Sequence, residues 1–254
     1  LQWYTGDDEE IGTFDRVRQE ALIGLIRTTF LKRFESSVIS FETSCNRLLQ
    51  KIIAFIEVHE ETDKGKERLE DWKKVNADIL GYVTNRQYEM FGEEDEEEVE
   101  EDIVPPEILA HMEKKKFSGE EYELEKMIDV SYEDLDQIIK FLVELKKFNP
   151  SNDDKCNKLK RLLKSKELEG EKVLIFTEYA DTARYLKNQL NEAGIDGVDQ
   201  VDSATKVNRA KVIRRFSPYY NESSPGELKD DSEEEIRILI STDVLSEGLN
   251  LQDA

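Results

Sequence analysis

Apolar residues recur at helical spacing through the first part of the chain and gather into short runs in the last part. Phe34, Val38, Phe41, Cys45, Leu48, Ile52 and Phe55 step by four and three, a heptad-like seam. Val17, Ala21, Leu25 and the 27–30 segment keep a similar face upstream. One or two long helices are therefore predicted over 14–60, after a polar lead-in containing Gly6 and Gly12. Ser36-Ser37 is the expected bend, because hydroxyls compete for backbone hydrogen bonds. The seam is short and more helix follows it, which favours packing within a bundle over a free coiled coil. Residues 60–80 show a sparser apolar face of Leu69, Trp72, Val75 and Ile79, and a further short helical piece ends at Phe91-Gly92. The stretch 93–102 is almost wholly acidic, and self-repulsion predicts an extended or disordered linker. Pro105-Pro106 then opens a new element. Ser131-x-x-Asp134 reads as a capping box for a helix carrying Leu135, Ile138, Ile139, Leu142, Val143 and Leu145, which stops at Asn149-Pro150.

The period changes after that boundary. A basic helix is expected over 153–166, with Leu159, Leu162 and Leu163 on one side, followed by Gly170 and a strand at 172–177. A helix at 181–192 ends with Gly194 at its C′ position, and a short strand at 197–201 leads to a helix at 206–216. Residues 217–235 read as a polar loop, and 236–241 as a buried strand rich in Ile and Leu. Strands alternating with helices of this length predict βαβ units and a parallel sheet. The expected organisation is a mostly helical region at 1–150 and an α/β domain at 151–254.

A chain of 254 residues with 38% apolar content can bury one large core or two modest ones. Its formal net charge of −22 argues against a simple nucleic-acid binder. The charge is uneven, however. Residues 1–150 hold 37 acidic against 20 basic side chains, whereas residues 155–216 hold 14 basic against 9 acidic. A groove on the second domain alone is compatible with that split, and the acidic excess is otherwise a solvated surface. No signal peptide or long apolar run occurs, so no membrane span is expected and a cytoplasmic location is. Cys45 and Cys156 are isolated thiols, expected reduced and structural. His59 and His111 are expected at the surface, and no metal-ligand spacing occurs.

The chemistry collects at the end of the last predicted strand. There Thr242, Asp243, Glu247, Gly248 and Asn250 bring hydroxyl, carboxylate, glycine and amide to the edge where open α/β sheets bind ligands. STDVLSEGLNLQDA (241–254) resembles motif V of superfamily II helicases, in the form found in Swi/Snf-type ATPases and their prokaryotic relatives. KVLIFTEYADTARYLKNQL (172–190) resembles the motif IV strand and helix of the same second RecA-like domain, and NRAKVIRRF (208–216) the Arg-containing helix between them. LKRFESSVISFETSCNRLLQKI (31–52) is similar to the helical connector of one prokaryotic branch. The motif matches stand in family order and cover about the last third of the chain.

The resemblance implies an incomplete RecA-like, parallel three-layer domain preceded by connector helices. In such motors ATP sits between two RecA-like domains and nucleic acid runs across both. Thr242 matches the position that contacts nucleic-acid phosphate, a role suited to a hydroxyl and backbone N–H groups at a strand-to-helix turn. Asp243 and Glu247 match the family's turn; Gly248, which permits close backbone approach, and Asn250 match the nucleotide side. Thr177 and Tyr179 at the end of the motif IV strand are nucleic-acid candidates, while Phe176 is expected in the core. Asp181-Thr182 is expected as an N-cap. Lys211 and Arg215, four residues apart on one helix face, either touch phosphates or form a solvated face. The plain alternative for the 241–254 residues is a capped turn.

The sequence contains no Gly-x-x-x-x-Gly-Lys-Ser/Thr phosphate loop and no Asp-Glu-x-His box, and the family's Gln-x-x-Gly-Arg-x-x-Arg segment would lie past Ala254. The expectation is a piece of a motor, starting at Leu1 without a Met, that belongs to an ATP- and Mg²⁺-dependent translocase or helicase acting on DNA. Taken alone it is expected to bind neither cofactor and to show no ATP turnover. Its helical region is a candidate surface for a protein partner. The competing expectation is a non-catalytic interaction module built on an acidic helical bundle.

Overall fold

The computed structural model describes residues 13–91, 123–202, 209–221, 223–231 and 233–242. They divide into two compact units, one of the residues up to 147 and one from 148 onward. The polar lead-in before Thr13, the acidic run 93–102, the Pro105-Pro106 element and His111 lie outside the described residues.

The first unit is helical: α1 (Thr13–Ser36), α2 (Val38–His59), α3 (Asp63–Val75), α4 (Ala77–Phe91) and α5 (Leu124–Leu145). The expected bend is a true break. Ser37 leaves the helix with extended backbone, and its hydroxyl accepts from the Ser40 N–H at 3.0 Å, capping α2. Thr62 caps α3 in the same way. Where the sequence pattern suggested one helix over 60–80, Asn76 separates α3 from α4, its side-chain amide donating to the Trp72 carbonyl.

The core of this unit is set by α2, which packs against α1, α3 and α5. Cys45, Leu49, Ile53 and Ile56 are its innermost residues, joined by Leu69, Ile79, Val83, Ile128, Tyr132, Leu135, Ile138 and Leu142. The predicted seam is thus rotated. Leu48, Ile52 and Phe55 are only partly buried, Phe34 is 53% exposed and Leu25 is exposed too. The cause is that α2 meets neighbours on more than one side, so its buried face is wider than a two-helix seam. Ser131 does not cap a helix: α5 runs through it, and its hydroxyl donates to the Met127 carbonyl at 2.9 Å. Burial of Ile128 and Tyr132 in the same core carries the helix past that site. His59 is buried rather than superficial, stacked on Phe55 with Nδ1 donating to the Phe55 carbonyl.

Polar groups are buried in α2 as well. Glu42 meets the Arg86 guanidinium at 2.8 Å. Burial, followed by the hydrogen bond to Glu42, pushes the Tyr82 hydroxyl up to about 12. Burial and the Glu42 charge push the Cys45 thiol to about 12. At the surface of the bundle Trp72 Nε1 donates to Asp136 at 2.8 Å, and Arg68 lies 3.9 Å from the centre of the Tyr132 ring while pairing with Asp129.

The second unit runs α6 (Asp154–Leu163), β1 (Val173–Phe176), α7 (Ala180–Glu192), β2 (Val198–Val201), α8 (Arg209–Phe216), α9 (Pro225–Asp230) and β3 (Ile238–Ser241). Its strands form one parallel sheet in the order β1-β3-β2, with the last strand in sequence at the centre. Ile238 and Ile240 face α6 and α7, among Leu163, Ala183 and Leu190. Leu239 faces the opposite way, onto Val212, Ile213 and Phe216 of α8. Helices on both faces of a wholly buried parallel strand give an α/β three-layer unit. The expected loop at 217–235 contains α9, capped by Ser224 and anchored by buried Leu228.

Two glycines make the tight returns possible. Gly194 ends α7 at φ 68°. Gly197 at φ 70° accepts from the N–H groups of Arg237 and Ile238, and a Cβ there would stand 3.1 Å from the Arg237 Cβ. Asp153 ties α6 to α7 by accepting from the Cys156 N–H at 2.8 Å and the Tyr185 hydroxyl at 2.9 Å. Among the described residues no helix is long and apolar enough to cross a membrane.

Candidate functional site

The three strands have four residues each and pair in register, so Phe176, Ser241 and Val201 lie side by side at their C-terminal ends. One residue further on, Thr177, Thr242 and Asp202 form the edge. The Thr177 N–H donates to the Ser241 carbonyl at 2.9 Å, and the Thr242 N–H to the Val201 carbonyl at 3.3 Å. Thr242 thereby sits at the middle of the edge, between the loop leading to α7 and the residue that follows β2.

Its side chain is the unusual one. Thr242 is 4% exposed, and among the described residues its Oγ1 has no hydrogen-bond partner. A buried hydroxyl without a partner loses its water and gains nothing in exchange. Beside it Ser241 Oγ donates to the Thr242 carbonyl at 2.6 Å. On the β2 side Asp202 is wholly buried; Gln200 Nε2 donates to its carboxylate at 3.2 Å, and Arg184 Nε from α7 approaches it at 3.7 Å.

The other sequence candidates are placed as follows. Thr177 is half-buried on the edge, and Tyr179 is buried at the N-cap position of α7. Because α7 starts at Ala180, Asp181 and Thr182 are not its N-cap; they are buried in its first turn, where the Asp181 charge suits the helix dipole. Phe176, expected in the core, is 61% exposed. It shares the face of Leu174, but α8 packs against β2 on that face and leaves the end of β1 uncovered. Asp243, Glu247, Gly248 and Asn250 lie outside the described residues.

Lys211 and Arg215 both enter ion pairs within the fold. Lys211 meets Glu233 at 2.8 Å with half its side chain exposed. Arg215 donates to Asp199 at 2.9 Å and to the Glu234 carbonyl at 2.8 Å. Glu233 and Glu234 precede β3, so these partners belong to the lead-in of the central strand and not to its C-terminal end. Burial alone would raise the Asp199 carboxyl, but the Lys187 hydrogen bond and charge, the Gln200 N–H and Arg215 together hold it below its ordinary value. Lys160 of α6 and Lys164 just after it also bond within the fold, Lys160 to Gln189 and Lys164 to the carbonyl of Ala193, which follows α7. The sequence reading overlooked Asp202 and Arg184. The signal for Asp202 was its position just past a predicted strand; Arg184 looked like any polar residue of an amphipathic helix.

No curated protein and no solved structure matches the chain. Residues 154–254 match the family model described as Helicase conserved C-terminal domain. The match starts at the first residue of α6 and takes in all three strands with their flanking helices. Residues 154–254 thus form an α/β unit similar to that family, RecA-like with an incomplete sheet among the described residues, and the match supports a relationship to helicases.

Proposed function

We propose that the α/β unit is the second motor domain of an ATP-dependent nucleic-acid translocase of the Swi/Snf type, from its prokaryotic branch, with double-stranded DNA as its track. The observation that carries this reading is the Thr242 hydroxyl, buried at the C-terminal end of the central strand without a partner among the described residues. An incoming phosphate oxygen would supply the acceptor that the fold withholds, and Thr177 would add a second hydroxyl from the neighbouring strand along the same edge. Lys211 and Arg215 add charge if their intramolecular pairs give way; exposed pairs of the Lys211 kind are worth little.

ATP and Mg²⁺ would enter through a facing motor domain, where they supply the free energy of phosphoryl transfer for closing the two domains on DNA. This chain would meet the nucleotide through Gly248 and Asn250. Its own described residues do the other part of the work: they hold a flat edge of hydroxyl and backbone groups against one strand of the duplex.

Binding of a fluorescein-labelled 25-base-pair duplex, followed by anisotropy at low salt, tests the reading. Thr242→Val should weaken it by about tenfold, as expected for one hydrogen bond to a charged group. Absence of any saturable binding by the wild-type chain to duplex, single strand or RNA overturns the reading. That outcome would favour the interaction-module alternative. For that alternative the supporting feature is the half-exposed pair Phe34 and Phe141, packed edge-on around Phe41 in the helical unit.

A further inference from the structure

We propose that Arg184, held at the sheet edge by the buried carboxylate of Asp202, is the cationic phosphate contact of the α/β unit, with duplex DNA as its ligand. The inference rests on the nucleic-acid reading of that edge and adds to it the residue that supplies charge. Hydroxyls and backbone N–H groups can orient a phosphate, but they do not neutralise it, and neutralisation carries most of the affinity for a nucleic-acid backbone.

The position follows from the register. Val201 lies opposite Ser241 in the parallel ladder, so Asp202 stands next to Thr242 one step beyond the strands. A wholly buried carboxylate at that spot would repel a phosphate unless a cation compensated it. Arg184 is that cation. It leaves the second turn of α7, whose N-terminus lies at the same edge, and its Nε comes within 3.7 Å of Asp202 Oδ2. This distance is an ion-pair approach, longer than a hydrogen bond. The Gln200 amide donates to the same Asp202 oxygen and so steadies the carboxylate independently of Arg184. Asp202 is thus a positioning residue: it fixes where the guanidinium stands.

Geometry also separates Arg184 from the cations that the sequence pattern favoured. Lys211 reaches Glu233 and Arg215 the Glu234 carbonyl, both leading into β3, with Arg215 also on Asp199 in the first half of β2, whereas Arg184 reaches the residue that leads out of β2. In a parallel sheet those are opposite ends. Of these three cations, Arg184 is the one whose carboxylate partner stands at the edge that carries the orphan hydroxyl of Thr242.

The test compares wild type with Arg184→Gln and Arg184→Lys in anisotropy titrations of the 25-base-pair duplex at several salt concentrations. Loss of one phosphate contact should weaken binding by about tenfold and flatten the slope of log K against log salt by about 0.9 in Arg184→Gln. Arg184→Lys should keep the wild-type slope. A merely structural role would lower affinity without changing the slope, and that result overturns the proposal. Binding of a fluorescent ATP analogue is the control for phosphate source: if Arg184→Gln weakens the analogue and leaves duplex binding intact, the contact is with nucleotide and the proposal falls. If Arg184→Gln does not fold, the Arg184 Nε–H resonance of the wild type, assigned by its loss in Arg184→Lys, decides. It should shift on addition of duplex, and an unmoved resonance at saturation refutes the contact. Should wild type bind no nucleic acid at all, the underlying reading fails first. Wild-type binding with an unchanged Arg184→Gln slope defeats this inference alone.

Discussion

Replacing Thr242 by valine should make the α/β unit more stable while weakening its hold on DNA, and the two effects have one cause. Thr242 Oγ1 is buried and has no hydrogen-bond partner among the described residues. Leaving a buried hydroxyl unpaired costs about 1–3 kcal/mol. Valine keeps the branched shape and puts a methyl where the oxygen was. The backbone bond from Thr242 to Val201 and the Ser241 hydroxyl on the Thr242 carbonyl do not involve that oxygen and survive the change. A gain of about 1 kcal/mol is expected, near the low end because Val and Thr differ slightly in packing. In a domain of about 100 residues that corresponds to a rise of roughly 4–8 °C in Tm. Calorimetry with circular dichroism is the right assay. Both tryptophans, Trp3 and Trp72, precede the α/β unit, so tryptophan fluorescence would follow other parts of the chain. A Tm lowered by several degrees would mean that the hydroxyl is engaged in holding the fold, and the functional argument from its orphan state would collapse. A raised Tm with weakened DNA binding is the trade-off expected of a group kept for function.

Three other outcomes can be checked on the same protein. Asp199 is held below its ordinary 3.8, so its stabilisation is complete above that pH and vanishes as pH falls through the lowered value. Asp199→Asn should therefore be less stable than wild type in urea at pH 7, with the difference closing as pH drops below 3.8; a constant gap down to about pH 2 contradicts the pairing. Leu239→Ala, at the wholly buried centre of β3, should cost about 2–5 kcal/mol by urea titration, and a loss under about 1 kcal/mol would show that the site is not a packed core. Cys45 and Cys156 are both buried, and burial pushes both thiols up, Cys45 to about 12. Neither should react with a disulfide reagent at pH 8 until denaturant is added, and rapid labelling of the native chain would refute their burial.

Alternation of strands and helices in residues 172–241 was legible because β1 and β3 are short runs rich in Ile, Leu and Val, while β2, which holds Asp199 and Gln200 between two valines, was marked by the turn residues before it. Gly194 was readable for the same reason, since few other residues accept its backbone angle. The helical unit was legible in outline and less so in its faces. Spacing alone cannot tell Leu48, Ile52 and Phe55 from Leu49, Ile53 and Ile56, because both sets repeat at helical intervals and only the positions of α1, α3 and α5 choose between them. Ser131 misled by local chemistry: a hydroxyl three residues before a carboxylate is also an ordinary mid-helix neighbour when the flanking apolar residues stay buried. Phe176 misled by composition, since whether the end of a strand is covered depends on the reach of a helix some thirty residues away in sequence. At the candidate site, Thr242 could be read from motif order, but its missing partner could not. Arg184 and Asp202 lie eighteen residues apart, and only the register of β2 on β3 brings their meeting point to Thr242.

The order of the sheet also has a kinetic side. β1 and β2 do not touch; each pairs only with β3, which follows them in the chain, and the β1 contact spans 65 residues from Val173 to Ile238. Among the described strands no hairpin or sequence-neighbouring pair is present to seed this sheet. As the chain leaves the ribosome, α6, β1, α7, β2 and α8 must all wait, with two strand edges open, until β3 arrives to close both ladders at once. Folding of this unit should be slow for its size and its nascent form exposed to aggregation, with the timing set by the emergence of the four residues Ile238 to Ser241.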